Sequence, residues 1–209
     1  MQETKIVAYG NLTEKQKIQA SDIFLEGFGH FMNFSKDKNK LQELFKNIMN
    51  PELFFCYIES ENVRGIIGIA TNKIRPLNFD ENICKKLFGK NKGKILSKQM
   101  NSIFQSPVVT NENELYIDVL ATAKDFQNKG IATELLKYIF NYKDYKTFFV
   151  EVFSKNTNAR NLYKKNGFRL LKEKKFSFMR FLGAGYPILL EKKISGEKNK
   201  WHSQNFAIK

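Results

Sequence analysis

Residues 127–132 read Gln127-Asn128-Lys129-Gly130-Ile131-Ala132, set between an apolar strand-like run and an amphipathic helix pattern. Polar residues around a glycine usually make a plain turn. Here they open a helix, where backbone N–H groups lack partners and the macrodipole favours negative charge. Successive amides from 128 to 133 can line one concavity, which suits a pyrophosphate. Gly130 permits close backbone approach, and Lys129 adds a mobile positive charge. Farther on, NTNARNLYKKNGF (156–168) places Asn156, Ala159 and Tyr163 at intervals of three and four, so that on a helix they share one face. Asn156 stands where a helix cap or a ligand contact is expected, and Tyr163 would project toward the strand just before it. Taken singly, the first pattern also fits a glycine-containing loop, and the tyrosine also fits a core aromatic. In order, across one strand–helix–strand unit, the two describe an anion site beside a phenol.

Other clusters fail on spacing. GKNKGK (89–94) begins like a phosphate-binding loop, but only three residues separate its glycines and Ile95 stands where Ser or Thr should hold magnesium. GFGHFM and GAGYPI lack the third glycine of a dinucleotide fingerprint. His30 and His202 are isolated from cysteines and acids at ligand spacing, so no metal site is expected. No nucleophile elbow supports a Ser–His–Asp reading.

The elements that must position these residues follow from periodicity. KIVAYG reads as a strand, followed by a helix with Thr13 as N-cap. Residues 38–50 form a second amphipathic helix, stopped by Pro51. ELFFCYIES and VRGIIGIATNKI form a hairpin about Glu61–Asn62, and 76–106 carry two helical runs separated by Gly89 to Gly93. ELYIDVLAT (114–122) is a buried strand. Ile131, Leu135, Tyr138, Ile139 and Tyr142 make one apolar stripe, and YKTFFVEVF (145–153) is the next strand. That βαβ order predicts a parallel pair. The helix over TNARNLYKK closes at Asn166–Gly167, and FRLLKEKKFSFMRF and YPILLEKKI are the last strands.

Bulk properties narrow the class. A 42% hydrophobic fraction supplies a real core. No apolar run reaches a membrane span and MQETKIVAYG lacks a signal-peptide core, so no membrane partner is expected. Cys56 and Cys84 form no disulfide framework, which suits a reducing cytoplasm. The net charge of +14 raises nucleic acid as a partner. However, only Arg64, Arg75, Arg160, Arg169 and Arg180 among 35 basic residues are arginine, and the lysines are scattered. Neither interleaved exposed aromatics nor an arginine-rich helix supports that class.

Together, QNKGIA and NTNARNLYKKNGF resemble the acetyl-CoA-binding and following helix motifs of the GNAT superfamily of N-acetyltransferases, over residues 115–168. Ala132 stands where glycine is commoner, and Thr122 where valine usually meets the acetyl group. The resemblance implies an α+β fold whose mixed, mostly antiparallel sheet of about seven strands is flanked by helices and splays beside a central βαβ unit. It implies a single domain over 1–194, with a helical insertion at 76–106 and a polar tail at 195–209. Acetyl-CoA is the implied cosubstrate, without a metal. Its pantetheine would lie against Leu120, Ala121 and Thr122, and its pyrophosphate on Gln127, Asn128, Lys129, Gly130, Ile131, Ala132 and Thr133, with Asn156 and Asn158 also in contact. Tyr163 is the implied acid for the leaving sulfur. Glu151, twelve residues earlier, is the implied base, with Asp118 in reserve because it shares strand parity with Leu120 and Thr122. A small-molecule amine is the expected acceptor, and the chain a monomer or homodimer. A peptide amine is the alternative within the enzyme class, and a silent CoA-binding sensor or nucleic-acid module the alternative outside it. Phe28, Phe31 and Phe34, at three-residue spacing, could line the acceptor pocket or close a helix end.

Overall fold

A computed structural model describes residues 3–29, 34–175 and 185–194. Among them, strands β1 (Thr4–Ala8), β2 (Phe54–Glu59), β3 (Asn62–Ala70), β4 (Glu114–Thr122), β5 (Thr147–Phe153), β6 (Arg169–Glu173) and β7 (Pro187–Lys193) form one sheet ordered β1-β2-β3-β4-β5-β7-β6. All neighbours are antiparallel except β4 and β5, which are parallel as the βαβ pattern predicts. The helices are α1 (Glu14–Phe28), α2 (Lys38–Ile48), α3 (Glu81–Phe88), α4 (Lys90–Phe104), α5 (Ile131–Phe140) and α6 (Thr157–Lys165). This is the mixed, mostly antiparallel α+β architecture read from the sequence. Its last-strand expectation, 168–181, extends past the described end of β6, and the 195–209 tail lies outside the described residues.

Local chemistry sets the boundaries. Thr13 Oγ1 accepts from the Gln16 N–H while Gln16 Oε1 accepts from the Thr13 N–H, a reciprocal cap on α1. Glu59 pairs with Asn62, leaving Ser60 and Glu61 as a two-residue loop, both at positive φ. The hairpin turn therefore sits one residue earlier than Glu61–Asn62, because a tight loop of this kind needs two successive left-handed residues. Gly89 alone separates α3 from α4. Gly93 does not break the helix, as its spacing suggested. It lies inside α4, where a Cβ would come within 2.4 Å of the Cys84 carbonyl oxygen. Gly93 thus lets two helices touch backbone to backbone.

The sheet carries a core on each face. Against one face, α1 to α4 bury Phe24, Phe45, Phe54, Ile66 and Phe79. Against the other, α5 and α6 bury Ile67, Leu115, Leu135, Phe148 and Tyr163. Gly65 admits α5, since a Cβ there would lie 2.6 Å from Ile131 Cγ2. β4 changes sides along its length: Leu115 and Ile117 belong to the α5 core, whereas Val119 belongs to the α1 core. A bulge explains the switch, because Ile117 pairs with Ile69 and Val119 with Gly68, leaving Asp118 as the extra residue.

Candidate active site

The central feature is a parting of strands. Parallel pairing between β4 and β5 ends at Ile117–Val150. On its other side β4 stays paired with β3 as far as Thr122, and β5 stays paired with β7 as far as Phe153. From Asp118 to Thr122 one edge of β4 is therefore open, with Leu120, Ala121 and Thr122 on it. An extended ligand backbone can pair with such an edge.

At the end of that opening stands the 127–133 loop. Asn128 and Gly130 both hold positive φ, 61° and 86°, and Gly130 is the N-cap of α5 in the left-handed region with no side-chain cap. The Glu134 N–H closes the first helical bond to the Gly130 carbonyl, so the amides of Ile131, Ala132 and Thr133 have no intrahelical acceptor. Alternation of backbone hands around Asn128 to Gly130 turns these amides into an anion nest. Gln127, Asn128, Lys129 and Gly130 are exposed there. A Cβ on Gly130 would meet nothing within 4 Å, so its backbone angle, not crowding within the protein, calls for glycine. Behind the loop, the Phe126 ring stacks with Arg64 at 3.9 Å and with Lys129 at 4.3 Å, adding positive charge beside the nest.

Asn156 caps α6 by accepting from the Ala159 N–H at 3.0 Å. Its carboxamide oxygen is thus used within the protein, and the exposed Asn158 follows it in the first turn. Tyr163 is buried, 4% exposed, edge-on to Phe168 at 5.2 Å. Burial pushes its hydroxyl pKa well above the usual tyrosine range, so it remains a proton donor at neutral pH.

Glu151 lies across the sheet from Tyr163. Phe148, Val150 and Val152 share the α5 core with the tyrosine, so alternation turns Glu151 toward the α1–α4 side. There it pairs with Lys174, and both side chains are partly exposed. The parity argument for Asp118 fails at the bulge, which makes it the unpaired residue of β4. Its carboxylate is also engaged. Arg75 Nε and NH2 donate to Oδ2 and Oδ1, each at 2.8 Å, while Arg75 NH1 donates to the Ser106 carbonyl at 2.7 Å. Burial pushes the Asp118 carboxyl pKa up, and Arg75 pulls it back.

Tyr116 was not singled out from sequence, yet these charged groups bear on its titration. Burial raises its pKa first, then the charges of Glu151 and Asp118; Arg75 opposes them and Tyr163 adds to them. Leu115 and Ile117 on either side of Tyr116 enter the α5 core, so alternation turns it to the same side of the sheet as Glu151, opposite Tyr163. Its signal in the sequence was position: two residues before Asp118 and paired with Phe149, itself two residues before Glu151. Of the candidate acceptor-lining aromatics, Phe28 packs on Phe24 at 5.1 Å and Phe34 on Phe88 at 5.8 Å, so both serve helix packing. Phe31 lies outside the described residues. Among the described residues no cluster of His, Cys, Asp or Glu could hold a metal, and no helix is long and apolar enough to cross a membrane.

An open strand edge thus precedes an anion nest at a helix start, and a buried phenol stands on α6 in the core shared with Val150 and Val152. The Acetyltransferase (GNAT) family model matches residues 18–168, and the chain belongs to that family of acyltransferase enzymes. Solved structures with the same fold include an N-acetyltransferase from Staphylococcus aureus Mu50, 17% identical over 90% of this chain and 100% of that one, TM-score 0.60. A GCN5-related N-acetyltransferase from Kribbella flavida is 10% identical over 91% of this chain and 98% of that one, TM-score 0.58. A chain of the NatC complex bound to Gag peptide and CoA is 15% identical over 92% of this chain and 99% of that one, TM-score 0.53. No curated protein matches.

Proposed function

We propose that this protein uses acetyl-CoA to acetylate the primary amine of a small molecule, by direct transfer within a ternary complex. The observation that carries this reading is the end of β4–β5 pairing at Ile117–Val150, followed along the chain by the nest at 128–133. Bound acetyl-CoA supplies an activated acyl group as a thioester. The nest amides and Lys129 hold its pyrophosphate, and the helix dipole adds about 0.3–1 kcal/mol per charge. The free edge at Leu120 to Thr122 aligns its extended arm, and an amide of that edge faces the negative charge developing on the acyl oxygen.

Proton traffic divides between the two faces. A primary amine with a pKa near 10.4 is on the order of 0.1% neutral at pH 7, so transfer needs a proton acceptor. Glu151 takes that proton, directly or through water, when its carboxylate exchanges Lys174 for the incoming ammonium. Tyr163 gives its proton to the departing sulfur. Asp118 is poorly suited as the base, because Arg75 already donates to both of its oxygens. The deciding experiment incubates the protein with acetyl-CoA and a panel of small amines, aminoglycosides and peptides, reading CoA release by free thiol. Release with small amines supports the reading. Release only with peptides moves the acceptor to a protein amine, and none with any acceptor removes the activity.

A further inference from the structure

Resting on acetyl-CoA as the cosubstrate, we propose that the Arg75–Asp118 pair is a positioning device: it fixes the width of the β4–β5 opening and couples the α3–α4 insertion to cofactor binding. Its place in the fold is specific. Asp118 directly follows Ile117, the last β4 residue paired with β5, and is also the bulged residue opposite β3. It therefore sits at the vertex where the strands part, with no residue in register with it on either neighbouring strand.

Arg75 supplies the missing restraint. Its guanidinium makes two parallel bonds to Asp118 and a third to the Ser106 carbonyl. Arg75 enters the α3–α4 segment and Ser106 leaves it, so one planar group ties both roots of the insertion to the vertex. Between those roots the insertion is anchored separately. Ser97 Oγ and Asn101 Nδ2 donate to the Phe79 carbonyl, and the Phe79 N–H donates to Asn101 Oδ1. The insertion's entry is also held by backbone bonds between Asn50 and Pro76 and between Asn78 and Ile48, and the Arg75 fork is what links it to the β4 vertex.

Both side chains of the ion pair are only 9% exposed. An exposed pair exchanges readily with water, whereas an enclosed one is all-or-none, since removing one partner strands a charge. The fork geometry also matters. A lysine carries the same charge but cannot reproduce three donors in one plane. A pair that served stability alone would change the melting temperature and leave the cofactor affinity of the folded protein alone.

That difference is the test. Calorimetric acetyl-CoA titrations and melting curves are compared for the full chain, Arg75→Lys, Asp118→Asn and the double variant Arg75→Met/Asp118→Leu. The double variant strands no charge, so its melting temperature should return toward that of the unaltered chain. Its acetyl-CoA dissociation constant should nevertheless rise by about tenfold or more, as should that of Asp118→Asn, with Arg75→Lys between. Unaltered affinity in the folded double variant overturns the positioning role alone. Absence of acetyl-CoA binding in the unaltered chain overturns the functional reading and this proposal with it.

Discussion

The two sides of the β4–β5 opening are built differently. On the α5–α6 side, the anion nest comes from one contiguous stretch and consists of backbone. On the α1–α4 side, the polar groups are side chains brought from afar: Arg75 reaches Asp118 across 43 residues, and Lys174 reaches Glu151 across 23. A backbone site depends on dihedral angles and tolerates changes of side-chain type, apart from the residues with positive φ. A side-chain site depends on every partner and fails when one is removed.

The largest expected effect probes the junction of the two sides. Tyr163→Phe keeps the ring that packs on Phe168 and removes one oxygen. Loss of a general acid lowers rate by about 10²–10⁴-fold, or roughly 3–5 kcal/mol of transition-state stabilisation. The fall should appear in kcat, with KM for both substrates and the melting temperature little changed. Full activity in this variant would falsify the acid role and leave Tyr163 a packing residue.

Next comes the backbone side. Gly130→Val places a β-branched residue at φ 86°, which costs about 1–2 kcal/mol and disturbs the backbone that forms the nest. Acetyl-CoA affinity measured by calorimetry should fall at least about tenfold, while acceptor affinity changes little. Unchanged acetyl-CoA binding would remove the pyrophosphate from this loop.

A smaller effect is expected on the side-chain side. The Glu151–Lys174 pair is 28% and 49% exposed, so its own worth is within about 0–1 kcal/mol. Neither Glu151→Gln nor Lys174→Met should threaten folding. Glu151→Gln should slow turnover most at pH 6–7, where the amine is protonated, and approach the unaltered rate near pH 10. A pH-independent deficit would mean that Glu151 positions the acceptor and takes no proton. Lys174→Met should leave the pH profile in place.

The smallest effect is on stability. Tyr116 and Tyr163 are both shifted upward by burial, so above pH 10 the unfolded chain loses phenolic protons that the folded one keeps. The unfolded state then binds fewer protons, and stability must fall as pH rises past 10 while staying level on this account from pH 6 to 9. Urea midpoints from pH 8 to 11 test the sign, and Tyr163→Phe should flatten the alkaline fall.

Legibility in the sequence followed the same division. Gly130, the stripe on α5 and the Asn156–Tyr163 spacing are local, and each could be read from neighbours within two helical turns. The parallel β4–β5 pair followed from the βαβ rule, and the mostly antiparallel sheet from the family resemblance. Asp118 misled because parity holds only along an unbroken strand, and one bulged residue reverses it. Arg75 carried no motif at all, since its three bonds join segments that are distant in the chain. Gly93 was misread for a related reason: glycine inside a helix can mark close packing as well as a break, and only the facing Cys84 carbonyl decides.

The single-residue joint at Gly89 has a consequence for how the chain folds. α3 and α4 meet through contacts between near neighbours, so they can associate before distant strands find each other. Closing a loop grows harder with its effective length. Between β3 and β4, the prepaired helices bring Arg75 and Ser106 together and shorten the span that strand pairing must close. The insertion then lowers the search cost of the sheet's central pairing, and slowing it by lengthening the Gly89 joint should delay formation of β3–β4 more than that of the β2–β3 hairpin.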